Sequence, residues 1–356
     1  MTQMTRSRGV VALLAAGFVL AACGAGATPT PAATQAPQSA APTERVGPPP
    51  GQASSFVYAK TSAGLGDVPA FAALDVLRSK GYTIEQQEIS ESELLVEGVA
   101  ANRFQFAEAA NNPVLIAVEK GSNIKFVVDR NANEWGIITT ANISSCEQLV
   151  ASRVAIHSPG SVSGAMLKDW IKSECPDKFP EYQPLIIAGS QNRAAALLAG
   201  QIDASPVELR DAILLSKEGF KVLVDFATGL PKLNVTSIYT NGDWLAQNPD
   251  VAKDFIKELL LQHRRVNTEP GYLLEQYKKY FPEEVAQDPA LAEEAVDEFI
   301  KRELFRNNGG LTTESMDYTA QFFGPDGTGD TTKLLTASDI SDLSYLNAVL
   351  EEIGRK

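Results

Sequence analysis

The chain has 356 residues, of which 44% are hydrophobic and 21% are charged, and its formal net charge at pH 7 is −13. Such an acidic balance argues against nucleic acid as a partner. There are only two histidines, and the sequence contains no Walker loop, no Gly-x-Ser-x-Gly elbow and no metal-ligand spacing. We therefore predict neither an enzyme nor a metal or cofactor site.

The first eight residues contain two arginines and no acid, and an apolar run from Gly9 to Leu20 follows. This pattern predicts an export signal, because the run is too short to span a membrane. The segment ends in Leu20-Ala21-Ala22-Cys23, which resembles the lipobox of bacterial lipoproteins. The resemblance implies cleavage after residue 22, lipidation of Cys23 and anchoring at the outer face of the cell membrane. A plain signal peptide is the alternative.

Residues 23–54 consist mostly of Ala, Pro, Gly, Thr, Gln and Ser. This composition offers too little apolar bulk to fold, and its prolines favour an extended chain. We predict a disordered tether between the lipid anchor and a folded body.

Strands and helices alternate from residue 55 to residue 128. This alternation predicts a mainly parallel sheet with helices on both faces. Asn112-Pro113 opens the last of these helices, and Asn112 is expected to cap it. The predicted strands are 56–59, 83–89, 104–106 and 124–128, and the predicted helices are 68–77, 94–102 and 112–121.

The same order of elements returns about 97 residues later. Residues 154–156 match 57–59, and residues 199–204 align with 101–106. Because identity between the halves is low, shared element order and duplication both explain the likeness. In either case we predict two similar α/β units.

Residues 154–164 combine a short apolar strand, a Pro159-Gly160 turn and the start of an amphipathic helix. Small residues here allow backbone N–H groups and the hydroxyls of Ser161 and Ser163 to approach a bound polar group. The helix N-terminus would favour negative charge on that group. The alternative is an ordinary turn in which a serine only caps the helix.

The C-terminal part has no counterpart in the repeat. A strand at 235–240 precedes a long amphipathic helix at 250–266, and further helices are predicted at 270–280, 288–306, 312–323 and 342–353. We expect this helical tail to pack on one of the two α/β units.

Two cysteines remain besides Cys23, namely Cys146 and Cys175. Export would permit a disulfide between them. Its loop of about 29 residues would contribute roughly 3–4 kcal/mol in the chain-entropy model. Two buried free thiols are the alternative.

Three motifs resemble type II periplasmic-binding proteins of ABC importers, in the group that binds sulfonates, taurine, nitrate and thiamine precursors. They are Pro159–Ser163, Gly200–Ala204 and Asn248–Phe255. The resemblance covers about residues 55–285. It implies an α/β fold of two lobes with mainly parallel sheets, joined by two crossover strands. Lobe I would comprise residues 55–140 and 235–356, including the extra C-terminal helices, and lobe II residues 141–234.

The resemblance also implies a monomeric solute-binding protein. It would capture a small organic molecule between the lobes and deliver it to an ABC permease with its ATPase. One departure from the family pattern, at 102–105, predicts a changed turn there. The ligand-binding residues carried over or proposed are Ser62, Gly64, Gly66, Asp67, Asn111, Asn112, Trp135, Ser158, Ser161, Val162, Ser163 and Glu208.

Several of these residues have a structural explanation as well. Ser205–Glu208 fits a capping box, whereas a ligand-binding Glu208 would pair with an amine or a ring N–H. Trp135 could stack on a planar ligand or belong to the core. Asp67 could pair with a ligand or favour its helix N-terminus. Asn112 could bond the ligand or act only as a cap.

Two classes of ligand are compatible with the sequence, and the first, an oxyanion, is favoured over the second. Serine-rich turns favour a sulfonate, a carboxylate or a similar oxyanion. Trp135, Tyr239 and Glu208 instead suit an aromatic or heterocyclic vitamin precursor, such as a thiamine pyrimidine or a flavin. A receptor lipoprotein without transport is a further alternative. So is a thiamine-precursor synthase, although that branch carries a cysteine-rich motif that this chain lacks.

Overall fold

The computed structural model describes Arg45 and residues 47–356, and these form one compact unit. The predicted signal, the predicted lipidation site Cys23 and most of the predicted tether lie outside the described residues. Within the described part, no helix has the length and apolar character needed to cross a membrane.

The end of the predicted disordered tether is folded onto the body. The side chain of Gln52 accepts a hydrogen bond from the main-chain N–H of Asp250 at 2.9 Å, and the N–H of Ala53 donates to Asn248 Oδ1 at 2.7 Å. Both contacts are made at the start of a long helix, where main-chain N–H groups lack helical acceptors. The prediction for residues 47–54 is therefore wrong.

Strands and helices alternate much as predicted, and the short helices are additional. The strands are β1 Ser55–Lys60, β2 Thr83–Glu88, β3 Phe106–Ala110, β4 Ile124–Asp129, β5 Gly136–Thr139, β6 Ala155–Ile156, β7 Leu185–Ile186, β8 Ala204–Val207, β9 Lys221–Asp225 and β10 Thr236–Asn241. The helices of the α/β part are α1 Val68–Ser79, α2 Ser92–Ala100, α3 Asn111–Glu119, α4 Cys146–Val150, α5 Val162–Glu174, α6 Ser190–Leu198, α7 Leu209–Lys217 and α8 Phe226–Gly229. The later helices are α9 Gly242–Gln247, α10 Pro249–Thr268, α11 Tyr272–Tyr280, α12 Pro282–Gln287, α13 Pro289–Lys301, α14 Thr313–Phe323, α15 Ala337–Ile340 and α16 Ser344–Ile353. Two 3₁₀ helices lie at Leu65–Asp67 and Pro176–Glu181.

The two halves build sheets of the same order. The first sheet runs β2-β1-β3-β10-β4. In the second, β8-β5-β9 form one ladder and β6-β7 another, and a bridge between Val154 and Ala204 connects them. The order β7-β6-β8-β5-β9 thus repeats that of the first sheet, with β5 in the position of β10.

Each sheet is mixed, because one strand runs against the others, which share one direction. β10 pairs antiparallel with β3 and β4, and β5 pairs antiparallel with β8 and β9. These two strands enter each sheet from the other half, so they run against their neighbours. The predicted boundary put residues 136–140 in the first lobe, whereas β5 belongs to the second sheet. The first crossover is therefore the segment from Arg130 to Trp135.

The predicted change in the turn at 102–105 is wrong. Asn102 has φ 56° and Gly200, its counterpart in the second half, has φ 64°. Asparagine adopts the left-handed conformation more readily than most residues, so both halves make the same turn.

The C-terminal helices contact both sheets. Phe255 of α10 stacks on Phe106 of β3 with ring centroids 4.6 Å apart, and α16 packs on α10. α14 and α15 pack on α3, whereas α13 packs on α7, which follows a strand of the second sheet. The tail thus packs against both halves rather than one.

The predicted disulfide is confirmed. Cys146 at the start of α4 is bonded to Cys175 directly after α5, with Cα atoms 5.9 Å apart. Both residues are buried. The bond joins two helices of the second half that are adjacent in the sequence.

We expect removal of this disulfide by Cys146→Ser with Cys175→Ser to lower the free energy of unfolding by about 3 kcal/mol, because the unfolded chain regains the freedom of a loop of about 29 residues. Urea unfolding of the oxidised protein and the double variant measures the difference. A reductant should destabilise the wild type and leave the double variant unchanged. Equal stability of the two proteins would contradict this expectation.

Candidate functional site

A cavity of about 50 Å³ lies between the two sheets and is lined from both of them. The first half contributes residues after β1, at the start of α2 and near β3, together with one residue of β10. The first crossover contributes Arg130 and Trp135. The complete lining is Thr61, Ser62, Ser92, Ala110, Arg130, Trp135, His157, Ser161, Val162, Ser163, Ser190, Glu208 and Thr236.

The topology explains why these residues meet. The parallel strands β1, β3, β6 and β8 all end at the cavity, and their loops follow directly. Loops at the carboxyl ends of strands in open α/β sheets are the usual place for ligands. The first crossover connects the two sheets beside the cavity, so Arg130 and Trp135 reach the cavity from it.

A cluster of buried charged residues supports the wall of the cavity that the first half and the first crossover form. It consists of Lys60, Asp67, Glu108, Arg130 and Glu134, each at most 7% exposed. Arg130 Nη1 donates to Asp67 Oδ1 at 3.1 Å, and Arg130 Nη2 donates to Glu134 Oε1 at 3.1 Å. Lys60 Nζ lies 3.4 Å from Asp67 Oδ2 and 3.8 Å from Glu108 Oε1. The cluster thereby ties the loop after β1 to both ends of the first crossover.

The pKa values of the two acids nearest Lys60 are shifted in opposite directions. Burial and the charge of Asp67 raise the pKa of Glu108 well above its usual value. Burial alone would also raise the pKa of Asp67, but Lys60 and Arg130 outweigh it and hold that pKa far below its usual range. Asp67 is therefore the ionised partner of the two cations, whereas ionisation of Glu108 is disfavoured.

Glu208 faces the cavity without a partner. Within the part of the chain that the structure describes, its carboxylate makes no hydrogen bond or ion pair, and its Oε2 lies 3.9 Å from the Cβ position that Gly64 lacks. Burial, followed by the charges of Glu134 and Asp211, raises the pKa of Glu208 to about 8. This is the group of the cavity that is most available to a ligand.

The predicted capping box at Glu208 is wrong. Glu208 occupies the N-cap position of α7, but its side chain makes no capping hydrogen bond. Ser205 lies in β8, and its hydroxyl donates to the carbonyl of Ala155 at 3.0 Å. The pattern Ser-x-x-Glu fails here because the strand continues through Val207 and leaves no helical turn between the two residues.

Trp135 lies at the back of the cavity, 8% exposed. Its Nε1 is buried and has no acceptor among the described residues. The guanidinium of Arg193 lies over its ring at 5.8 Å, which is the range of cation–π attraction. Arg193 itself donates to Ser205 and to the carbonyl of Pro206, so it supports Trp135 rather than lining the cavity.

The start of α5 has the predicted form. Ser161 is the N-cap, and its Oγ accepts from Gly164 N at 3.2 Å and donates to Ser158 O at 2.6 Å. Ser163 Oγ lies 3.2 Å from Ser161 Oγ. Ser161 therefore caps α5 as predicted, and Ser161, Val162 and Ser163 also line the cavity. N–H groups of the first helical turn have no intrahelical acceptor, so they are free to bind a polar group.

Half of the proposed ligand-binding residues line the cavity and half lie behind it. Asn111 is buried and bonded to Asn234 O and Ser237 Oγ. Asn112 is not the predicted cap, because α3 begins one residue earlier; its side chain donates to Gly160 O and Asp330 Oδ2. The cavity-lining members are Ser62, Trp135, Ser161, Val162, Ser163 and Glu208, and those behind are Gly64, Gly66, Asp67, Asn111, Asn112 and Ser158.

Several lining residues were missed from the sequence. Arg130 is the most consequential, and its place directly after β4, at the start of a crossover, is a signal that could have indicated it. Thr61, Ser92, Ser190 and Thr236 are small polar residues without a distinguishing pattern. His157 also lines the cavity, and its Nε2 lies 3.3 Å from Ser90 O across the cleft.

Comparison with known protein families shows which family the chain belongs to. Residues 77–260, just over half of the chain, match the model of the family described as NMT1/THI5 like. The protein belongs to the NMT1/THI5-like family. No curated protein matches the sequence of this NMT1/THI5-like protein.

Solved structures establish the fold of this NMT1/THI5-like protein. The alkanesulfonate-binding protein SsuA from Xanthomonas axonopodis pv. citri bound to MOPS has a TM-score of 0.64 at 16% identity, covering 81% of this chain and 98% of that one. The aliphatic sulphonate-binding protein SsuA from Escherichia coli has a TM-score of 0.61 at 15% identity, covering 82% of this chain and 93% of that one. A ligand-binding component of an ABC-type import system from Staphylococcus aureus has a TM-score of 0.65 at 13% identity, covering 83% of this chain and 98% of that one. The chain therefore has the α/β periplasmic-binding-protein fold.

We expect Arg130→Met to lower the free energy of unfolding by about 3–5 kcal/mol, because it leaves Asp67 and Glu134 buried without their cation. Arg302→Met is the matched control. Arg302 also pairs with two carboxylates, Asp225 and Glu298, but at the partly exposed surface. Its loss should change stability by less than about 1 kcal/mol. Denaturant unfolding of both variants measures these changes in stability. Similar effects in the two variants would contradict a stabilising role for the buried ion pairs of Arg130.

Proposed function

We propose that this protein is the solute-binding component of an ABC importer and holds a small organic molecule in the cavity between the sheets. One observation carries the proposal. Side chains from both halves and from the first crossover converge on a single polar cavity. A ligand there touches both halves at once, as capture by closure requires.

The similar structures support this assignment. The Staphylococcus aureus protein is the ligand-binding component of an ABC-type import system, and the two SsuA proteins bind sulfonates. We propose the same general role here, with a permease and its ATPase as partners and a monomer as the working form. Export and anchoring through Cys23 belong to the proposal and are supported by Leu20-Ala21-Ala22-Cys23.

Opening and closing of the two halves is part of the proposed mechanism. A volume of about 50 Å³ accommodates no more than a few water molecules. An organic solute therefore enters only when the halves separate, and contacts to both halves then favour closure. His157 of the second half and Ser90 of the first meet across the cleft and would part during opening.

The geometry supports binding rather than catalysis at the cavity. A serine nucleophile needs a base to accept its proton. Ser161 Oγ instead donates to the carbonyl of Ser158, and His157 Nδ1 accepts from the N–H of Gly189 at 3.0 Å. The charged cluster is likewise engaged in its own ion pairs. We therefore favour a binding protein over a synthase.

For the ligand, Glu208 favours a molecule that carries an N–H donor. Its partnerless carboxyl group can accept from such a donor. Once it is ionised, above its pKa of about 8, it binds the donor more strongly and repels an anion. Arg130 does not offset this repulsion, because Asp67 and Glu134 already balance its charge. We therefore propose the aromatic or heterocyclic class of solute ahead of the oxyanions that the serine-rich turns favour.

An oxyanion is the second candidate, and the start of α5 is the observation that favours it. Val162 and Ser163 present first-turn N–H groups at the cavity, and hydroxyls surround them. Protonation of Glu208 would remove the repulsion. The two candidates consequently differ in their dependence on pH.

We expect affinity for a neutral N–H heterocycle found in a thermal-shift screen to rise about tenfold per pH unit up to about pH 8 and then to level off. The ligand prefers ionised Glu208, whose raised pKa keeps it protonated at lower pH. Glu208→Gln should abolish this dependence and weaken binding about tenfold or more at pH 9. Calorimetric titration between pH 6 and pH 9 measures both.

Glu218→Gln is the matched control, since Glu218 is exposed at the other end of α7. It should leave affinity and pH dependence unchanged. Affinity that falls as pH rises would support the oxyanion instead. Unchanged binding in Glu208→Gln would remove Glu208 from the site.

A further inference from the structure

A loop of the C-terminal tail, residues 324–333 between α14 and α15, contacts both halves of the protein, and we name it the strap. Its far end is fixed to the first half. Glu119, the last residue of α3, accepts from the main-chain N–H and the hydroxyl of Thr332 at 2.8 and 2.6 Å. Its middle is bonded back to α14, since the N–H of Asp330 donates to Phe323 O at 3.1 Å. The strap therefore belongs structurally to the first half.

The carboxylate of Asp330 joins the strap to the second half. Its Oδ2 accepts from Asn112 Nδ2 of α3 at 3.0 Å, and its Oδ1 lies 2.9 Å from Lys168 Nζ of α5. Asn112 Nδ2 also donates to Gly160 O at 2.8 Å, in the turn directly before α5. The Asp330 side chain is only 12% exposed, so its ion pair is partly shielded from solvent ions. One carboxylate thus connects α3 of the first half to α5 of the second.

A second contact of the strap is made one helical turn further along α5. Lys172 follows Lys168 by four residues, which places both on the same face of the helix. Lys172 Nζ donates to Thr328 O of the strap at 3.3 Å. The first turn of this helix carries Val162 and Ser163, which line the cavity. The strap therefore contacts the helix that forms one wall of the cavity.

These contacts lie at the cleft between the halves. Asp330 and Gly160 share the side chain of Asn112, and Gly160 precedes the cavity-lining Ser161. Because the strap is fixed to the first half and Lys168 belongs to the second, separation of the halves breaks their ion pair. The two crossovers are covalent and persist in any arrangement. The strap contacts, in contrast, exist only in the closed one, and they favour it without any solute.

We infer that the strap holds the two halves closed in the empty protein, through Asp330 and Lys168, and so sets the fraction of molecules that is open to receive a solute. The inference rests on the proposed opening of the halves and adds the element that controls it. One partly exposed ion pair is expected to change the open fraction about two- to fivefold.

Hydrogen exchange of the empty protein, followed by mass spectrometry, tests the inference without a solute. N–H groups in the loop after β1 and at the start of α5 exchange when water enters the cleft, so their rates follow the open fraction. Lys168→Met and Asp330→Asn should each accelerate exchange in these two segments about two- to fivefold. An amide has one acceptor oxygen in place of two, so Asp330→Asn loses one of the two bonds. Lys168→Arg keeps the cation and should exchange like the wild type.

Lys80→Met is the matched control. Lys80 has nearly the same side-chain exposure as Lys168, 30% against 29%, and its Nζ also lies 2.9 Å from a carboxylate, that of Glu258. Both partners lie on helices that pack beside the first sheet, α10 and the end of α1, so their contact does not cross the cleft. Exchange in the two cleft segments should stay unchanged in Lys80→Met. Exchange within α10 should stay unchanged in the strap variants, which distinguishes opening from general destabilisation.

Gly160→Leu separates a failure of the inference from a failure of the proposed function. A Cβ at residue 160 would clash with Glu93 Oε1 of the first half, so a leucine there pushes the halves apart. Faster exchange in the loop after β1 of Gly160→Leu, with wild-type exchange in Lys168→Met and Asp330→Asn, would overturn the inference and leave the proposed opening intact. Wild-type exchange in all three variants would show that the halves do not open, which would overturn the proposed mechanism as well.

Discussion

The buried ion pairs of Arg130 are the interaction on which the rest of the site depends. Arg130 is the first residue after β4, and it holds Asp67 from the loop after β1 and Glu134 from the far end of the same crossover. Buried charges are tolerated only when paired with good geometry. Because Arg130 must stay paired with both carboxylates, the path of the first crossover is fixed. That path places Trp135 at the cavity between the sheets, and it positions the loop that carries Ser62.

The exchange of one strand between the sheets makes the site two-sided. β5 and β10 each cross into the opposite sheet, so each sheet becomes mixed and the first crossover runs beside the cavity. The carboxyl ends of β1, β3, β6 and β8 then face each other. A repeat of strand, turn and helix would by itself make two separate cradles. The exchanged strands bring them together around one ligand.

Charge within the site is distributed unevenly, and this explains its proposed preferences. Lys60 and Arg130 are neutralised by their own carboxylates, whereas Glu208 has no partner in the described residues. The acidic member is thus the one that remains available to a solute.

The sequence by itself determined the local features of this protein. Periodicity and turn residues predicted the alternation of elements and their repetition. Spacing and small residues indicated the cap at Ser161, and two cysteines the disulfide, because these features depend on neighbours in the chain. Only the tertiary structure decided the mixed sheets, the pairing of Arg130 with Asp67 and the freedom of Glu208. Those outcomes depend on which strand enters which sheet, and residues 63 positions apart carry no local signal that they will meet.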